Sequence, residues 1–226
     1  MPNHVINKLF IDASPIKLAE IKNAIAGKED NPYIDFNKVI PMPKCLEDST
    51  SGGREHHARA LILKLQADAT LKELYDIDKD QFWKNVQKHV KIPDDAMYYA
   101  TDFIDDMKKY LDIHEKTGYT SWHNWCVDKW GTKWGAYGQE DQGDTISFQT
   151  AWSSPAPVIQ ELSKKYPKIR FTVTYADEDL GSNCGMYVCK DGQIVEDVPR
   201  DFDFACEMWG YDPEEERAER DQDSDD

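Results

Sequence analysis

Five of the seven tryptophans of this 226-residue chain fall within residues 121–152, SWHNWCVDKWGTKWGAYGQEDQGDTISFQTAW. Side chains of that bulk have to be buried or stacked, so the remainder of the chain must cover or extend this stretch. Trp122, Trp125 and Cys126 stand at helical i, i+3 and i+4 spacing, and with Lys129 and Trp130 they predict a short helix that Gly131 stops. From Thr132 to Tyr137 aromatic residues alternate with small or polar ones, and Ile146, Phe148 and Trp152 recur two and four apart. These periods predict two half-buried strands joined through the turn-rich segment Gly138 to Gly143.

Toward the N-terminus, His4 to Ile11 alternates strand-forming residues and predicts a first strand. Ser14-Pro15 is a helix start, followed by Leu18, Ile21 and Ile25 on one stripe, with the end expected at Gly27. Tyr33 to Ile40 reads as a second strand halted by Pro41-Met42-Pro43. After a polar Gly/Ser/Thr linker, residues 54–117 turn wholly helical. Ala58, Leu61, Ile62 and Leu65 make one stripe, Phe82 and Val86 a second, and Phe103, Ile104, Met107, Tyr110 and Leu111 a third. Beyond the tryptophans, Ser153-Ser154-Pro155 opens another helix carrying Val158, Ile159 and Leu162. Strands are expected over Ile169 to Tyr175, Gly185 to Lys190 and Ile194 to Val198, the last two joined by the hairpin signal Asp191-Gly192. The segment from Asp212 is dominated by charge, nine acids and two arginines in fifteen residues, and is expected to be disordered.

Charge narrows the function classes. The chain has 43 acidic and 27 basic residues, a formal net charge of −16, and residues 212–226 contribute −7 of it. Such a surface repels phosphate backbones and argues against direct nucleic-acid binding. It serves solubility alone, or it is built to meet a basic partner. No window approaches the roughly 20 apolar residues of a membrane span, and the first residues lack a secretory signal, so a cytoplasmic location is expected. Cys45, Cys126, Cys184, Cys189 and Cys206 are odd in number and lack paired spacing, which argues against a disulfide framework and a structural zinc site. No metal and no cofactor is expected.

The residues MPNHVINKLF, DFNKVIPMP at 35–43, WGTKWGAY at 130–137, FQTAWSSPAPVIQELSKKYP at 148–167 and YADED at 175–179 together resemble the YubB ferredoxin-like family of phage, plasmid and pathogenicity-island proteins. The resemblance covers roughly 1–45 and 120–198, and it departs at Ser154, where the family has proline after Trp-Ser. It implies an α+β fold, a ferredoxin-like antiparallel sheet with helices on one face, split by an all-helical insert, together with an origin in a mobile element. The expected layout is 1–43 and 118–210 as the two parts of the sheet domain, 54–117 as the insert and 211–226 as a disordered acidic tail. The resemblance supplies no activity and no functional residues.

Motifs for catalysis are missing: there is no G-x-G-x-x-G, Walker loop, H-E-x-x-H or G-x-S-x-G. His123 and Cys126 are three apart on one helix, the spacing of a base and a nucleophile, yet also that of a packed cysteine beside an edge histidine. The tryptophans suit core packing first and a protein-binding surface second, since base-stacking sites pair aromatics with Arg and Lys. The expectation is therefore a non-enzymatic acidic module that binds a basic host protein by occlusion or by mimicry of DNA, without direct nucleic-acid or membrane contact and with self-association open. Its expected contact residues are Asp94, Asp95, Asp102, Asp105, Asp106 and Asp112, with Trp125 and Trp134. The alternative is a small enzyme or nucleotide-binding domain with a site near the tryptophan cluster.

Overall fold

The computed structural model describes residues 2–29, 31–89 and 100–223, with side chains described for 2–29, 31–86 and 104–220. The chain divides into two compact units, one built from Met1–Pro41 with Cys126–Asp226 and the other from Met42–Trp125.

In the first unit, strand β1 (His4–Asp12) leads into helix α1 (Pro15–Ile25), which has Ser14 at its N-cap and Pro15 in its first turn. The paired strands β2 (Tyr137–Asp141) and β3 (Thr145–Ala151) follow much later in the chain. Helix α9 (Ala156–Lys165) and strand β4 (Arg170–Asp177) come next, then β5 (Cys184–Lys190) and β6 (Gln193–Pro199). All pair antiparallel in the order β2-β3-β1-β4-β5-β6. The β-α-β-β-α-β path through β1, α1, β2, β3, α9 and β4, with β1 beside both β3 and β4, is the ferredoxin-like arrangement. The β5–β6 hairpin extends the sheet beyond β4. It turns on Asp191 (φ 50°) and Gly192 (φ 77°), the two left-handed residues that such a two-residue turn demands.

Register explains which residues make the core. Val5 and Leu9 of β1 share a face with Ile146 and Phe148 of β3 and with Phe171 and Val173 of β4, and all six are buried. Each such side chain contributes about 1.5–3 kcal/mol on removal from water. Helix α9 lays Val158, Ile159 and Leu162 against β4, β5 and β6. Helix α10 (Phe202–Trp209), capped by Asp201 and ended by Gly210 at φ 80°, adds a smaller cluster with Ile6, Ala176 and Cys184, whose register places them on the other face.

Three local expectations are corrected here. Tyr33 to Ile40 is not a strand. Asp35 caps helix α2 (Phe36–Val39) by accepting the Asn37 N–H at 2.9 Å, and the i, i+3 pair Phe36 and Val39 is buried, so the cap outweighs the strand-like composition. Thr132 to Ala136 is irregular, and the strand starts at Tyr137, taking in residues expected to turn. The side chain of Gln139 draws the chain in by accepting from the N–H groups of Tyr33 (3.0 Å) and Ile34 (2.9 Å) and donating to the Ile34 carbonyl at 2.8 Å. Of the segment from Asp212, the described residues form helix α11 (Pro213–Asp223). Asp212 caps it through the N–H of Glu214, three glutamates occupy its positive N-terminal turn, and Arg217 and Arg220 lie over the Phe202 ring at 5.3 and 4.7 Å.

The second unit holds the long helical insert. After α3 (Lys44–Glu47) come α4 (Gly53–Ala67), α5 (Ala69–Ile77), α6 (Lys79–His89) and α7 (Ala100–Thr117). The three apolar stripes close on one another: Ala58, Ile62 and Leu65, then Phe82 and Val86, then Ile104, Met107, Tyr110 and Leu111 form one buried cluster, joined by Tyr75 and Trp83. Helix α8 (Trp122–Lys129) forms where the tryptophan spacing predicts it. Gly131, at φ 76°, ends it by donating its N–H to the Cys126 carbonyl.

Candidate functional site

The expected acidic contact residues fall on or before α7. Asp94 and Asp95 lie outside the described residues, and Asp102 belongs to α7 with its side chain outside them. The other three are each paired with a cation: Asp105 with Lys108 at 3.4 Å, Asp106 with Arg54 at 2.5 Å and Asp112 with Lys116 at 2.6 Å. Trp125 is corrected from a contact residue to a core one, because only 4% of it is exposed. Trp134 is half-buried and belongs to the first unit, whereas the acids and Trp125 belong to the second.

Negative charge is concentrated elsewhere. Residues 177–226 carry 18 acidic and four basic side chains, a net −14 of the −16 total. They comprise the end of β4, the β4–β5 loop, the β5–β6 hairpin, α10 and α11. Glu196 and Asp197 sit on the edge strand β6, with Glu196 3.6 Å from Arg170, while Glu214, Glu215 and Glu219 are exposed on α11. Edge carboxylates, the irregular register against Val188 and Cys189, and Pro199 blunt β6 against pairing with another sheet.

A second feature lies at the end of β1 where β3 and β4 meet the loops. Trp152 follows β3 with φ 76°, a conformation that costs a bulky residue about 1–3 kcal/mol and persists only where its surroundings impose it. Those surroundings are a network of amides. The Trp152 N–H donates to the Asn3 carbonyl and its carbonyl accepts from Asn183 Nδ2, both at 2.9 Å. The buried Asp177 carboxylate ties the two asparagines together, accepting from Asn3 Nδ2 at 3.1 Å, Asn183 Nδ2 at 3.0 Å and the Asp179 N–H at 2.9 Å. The result is an indole 41% exposed. Lys133 Nζ lies 4.9 Å from the ring centres of both Trp152 and Trp134. Trp134 in turn neighbours Tyr137, whose hydroxyl is 2.5 Å from His4 Nδ1, and a depression of about 380 Å³ opens between His4, Asn31, Trp134 and Tyr137. Burial, and behind it the charge of Glu178, raises the Tyr137 hydroxyl above its ordinary value.

The second unit has its own polar centre. Glu55 is 6% exposed, accepts from Asn124 Nδ2 at 2.7 Å and from the Thr120 hydroxyl, and has Arg59 Nε at 4.0 Å. Arg59, Thr120 and Asn124 line a depression of about 390 Å³ with Gln66, His114 and Tyr119.

The His123 and Cys126 spacing does not yield an activated nucleophile. Cys126 is 1% exposed and burial pushes its thiol up to about 12, so it carries its proton at neutral pH and packs as a small apolar group. Among the described residues no group of three or more His, Cys, Asp or Glu side chains is placed to hold a metal ion, and no helix is long and apolar enough to cross a membrane.

Neither the burial of Glu55 and Asp177 nor the placing of Lys133 between two indoles is legible in the sequence, where a run of acids such as Asp177-Glu178-Asp179 reads as solvated. A glutamate one residue before two histidines on a helix carries no local sign of burial. The concentration of charge after residue 176 was available from counting.

The sheet order and the two crossover helices define the first unit as a ferredoxin-like domain of the α+β class. Residues 129–222 match the family described as the ferredoxin-like domain in Api92-like protein. That match begins at Lys129, whereas β1 and α1 of the same sheet domain come from the N-terminal part of the chain. The chain is also similar to the crystal structure of a protein Api92 from Yersinia pseudotuberculosis, at 12% sequence identity and a TM-score of 0.43, over 88% of this chain and 98% of that one. No curated protein matches it.

Proposed function

We propose that this protein is a non-enzymatic, acidic protein-binding module that docks on a basic protein surface, one that otherwise holds nucleic acid, and occludes it with carboxylates in place of phosphates. The resemblance to YubB-type proteins supports a phage or other mobile element as its source, with a host defence or nucleic-acid-binding protein in the host cytoplasm as its target. The observation that carries the reading is the net −14 on residues 177–226, much of it mounted on the ordered hairpin, α10 and α11. Ordered carboxylates bind a preformed basic groove without the cost of ordering a tail, and their field speeds encounter with a cationic partner. Helix α7 has less to offer this role, since Asp105, Asp106 and Asp112 already face cations.

The test is affinity capture from bacterial lysate at low and at high salt, with two charge-reversed variants beside the parent. Recovery of a basic nucleic-acid-binding protein at low salt, lost at high salt and lost when Glu214, Glu215, Glu216 and Glu219 become lysine, supports the reading. Retention that ignores salt and that reversal removes the basis for it. Loss instead on reversing Asp105, Asp106 and Asp112 would return the contact to α7.

A small-molecule or nucleotide site is the second reading, favoured by the depression beside Trp134 and Tyr137.

A further inference from the structure

The pairing of Lys133 with two indoles says more than that a lysine has found a resting place. A lysine on a surface loop has acids to choose from in a chain with 43 of them. Lys133 instead brings its ammonium within 4.9 Å of the centres of two tryptophan rings, the range at which ring quadrupoles attract a cation. One of those rings belongs to Trp152, held in a left-handed conformation by hydrogen bonds to Asn3 and Asn183 and left 41% exposed. The loop that holds it is acidic. Asn183, which donates to the Trp152 carbonyl, closes the segment Asp177-Glu178-Asp179. Glu178 and Asp179 are exposed, and the Glu178 N–H donates to the His4 carbonyl at 2.8 Å, beside Tyr137. Aromatic faces with carboxylates at their margin favour a cation, and exposed tryptophans are the residues on which interfaces most often depend.

We propose that Trp134 and Trp152 form a cage that receives an arginine or lysine side chain of the basic partner, and that Lys133 holds that place while the partner is absent. The proposal rests on the acidic-module reading above and gives it a contact point: long-range attraction comes from the carboxylates after residue 176, and the indole pair fixes where one cationic side chain seats. It also accounts for the strained backbone at Trp152. Without that conformation the indole would follow the alternation of β3 and would not stand beside Lys133.

The probe is a capped hexa-arginine peptide titrated calorimetrically into the full chain at fixed low salt. The variants are Trp152→Asn, which tolerates a left-handed backbone, Lys133→Met, which removes the ammonium from the cage, Lys168→Met as an exposed control of equal charge outside the acidic face, and the four-glutamate reversal on α11. Circular dichroism checks that each is folded. The expected result is weakening of about tenfold for Trp152→Asn, the scale of one desolvated cation–π contact. Lys133→Met should tighten binding by about threefold or more beyond the Lys168→Met control, because the competing ammonium leaves the site. If Trp152→Asn and Lys133→Met match their controls while the α11 reversal abolishes binding, the cage is overturned and the acidic-module reading survives. If the parent does not bind the peptide at all, both fall. If an oligothymidylate binds in place of the peptide and depends on Trp152, the indoles stack bases and the cage for a cation is overturned.

Discussion

Replacing Glu55 offers the sharpest check on how the helical unit is held together. Its carboxylate is 6% exposed and accepts from Asn124 Nδ2 at 2.7 Å and from the hydroxyl of Thr120, itself 3% exposed. Glu55→Ala removes the acceptor and leaves the donors of the buried Thr120 and the half-buried Asn124 without it. Hydrogen bonds to a charged group are worth about 1.5–3 kcal/mol each, so two of them set a gross loss of roughly 3–6 kcal/mol. Removing the buried charge returns its desolvation cost, which brings the expected net loss to about 2–4 kcal/mol. Glu55→Gln keeps the shape and one acceptor oxygen, and should lose only about 1–2 kcal/mol. The assay is urea unfolding followed by far-UV circular dichroism, where a loss of that size moves the midpoint by about 1–2 M. Hydrogen exchange should locate the change within residues 42–125, in α4 first, because the two units need not unfold together. A Glu55→Ala variant within about 0.5 kcal/mol of the parent would refute the view that this carboxylate organises the unit.

Three further outcomes follow from burial and backbone conformation. Native protein should show one fast-reacting thiol, the exposed Cys45, and five after denaturation; equal reactivity of Cys126 would contradict its burial. At pH 8 the buried thiols of Cys126 and Cys189, both pushed up to about 12, leave a thiolate fraction on the order of 10⁻⁴. Since the folded thiols keep their protons above the ordinary value near 8.5, their contribution to stability is complete below that pH and is lost as pH climbs toward 12, which alkaline unfolding would register. Gly131→Ala meets two obstacles, a φ of 76° and a Cβ only 2.9 Å from Pro157 Cδ, and should lower the melting temperature by several degrees, a cost of about 1–3 kcal/mol. An unchanged melting temperature would mean that the α8 exit can take another path.

The sequence by itself determined the elements with a clean period. The alternation in β1, β4 and β5, the Asp191-Gly192 turn, the stripes that meet around Phe82 and Met107, and the helix carrying Trp122 and Trp125 all follow from local spacing, because each element buries one face whatever its partner. What depends on distant partners was decided by the tertiary structure alone. Tyr33 to Ile40 looks like a strand until Asp35 caps α2 and Gln139, more than a hundred residues away, takes the Tyr33 and Ile34 N–H groups. The stretch that forms α11 looks disordered until Phe202 gives Arg217 and Arg220 a surface to lie on. The candidate site divides in the same way. That the protein is acidic is a matter of counting, but the exposed Trp152, the bracketed Lys133 and the buried Glu55 are products of long-range contacts. Hydrophobic period reports which side of an element faces inward, and it carries no information about which polar atoms meet across the fold.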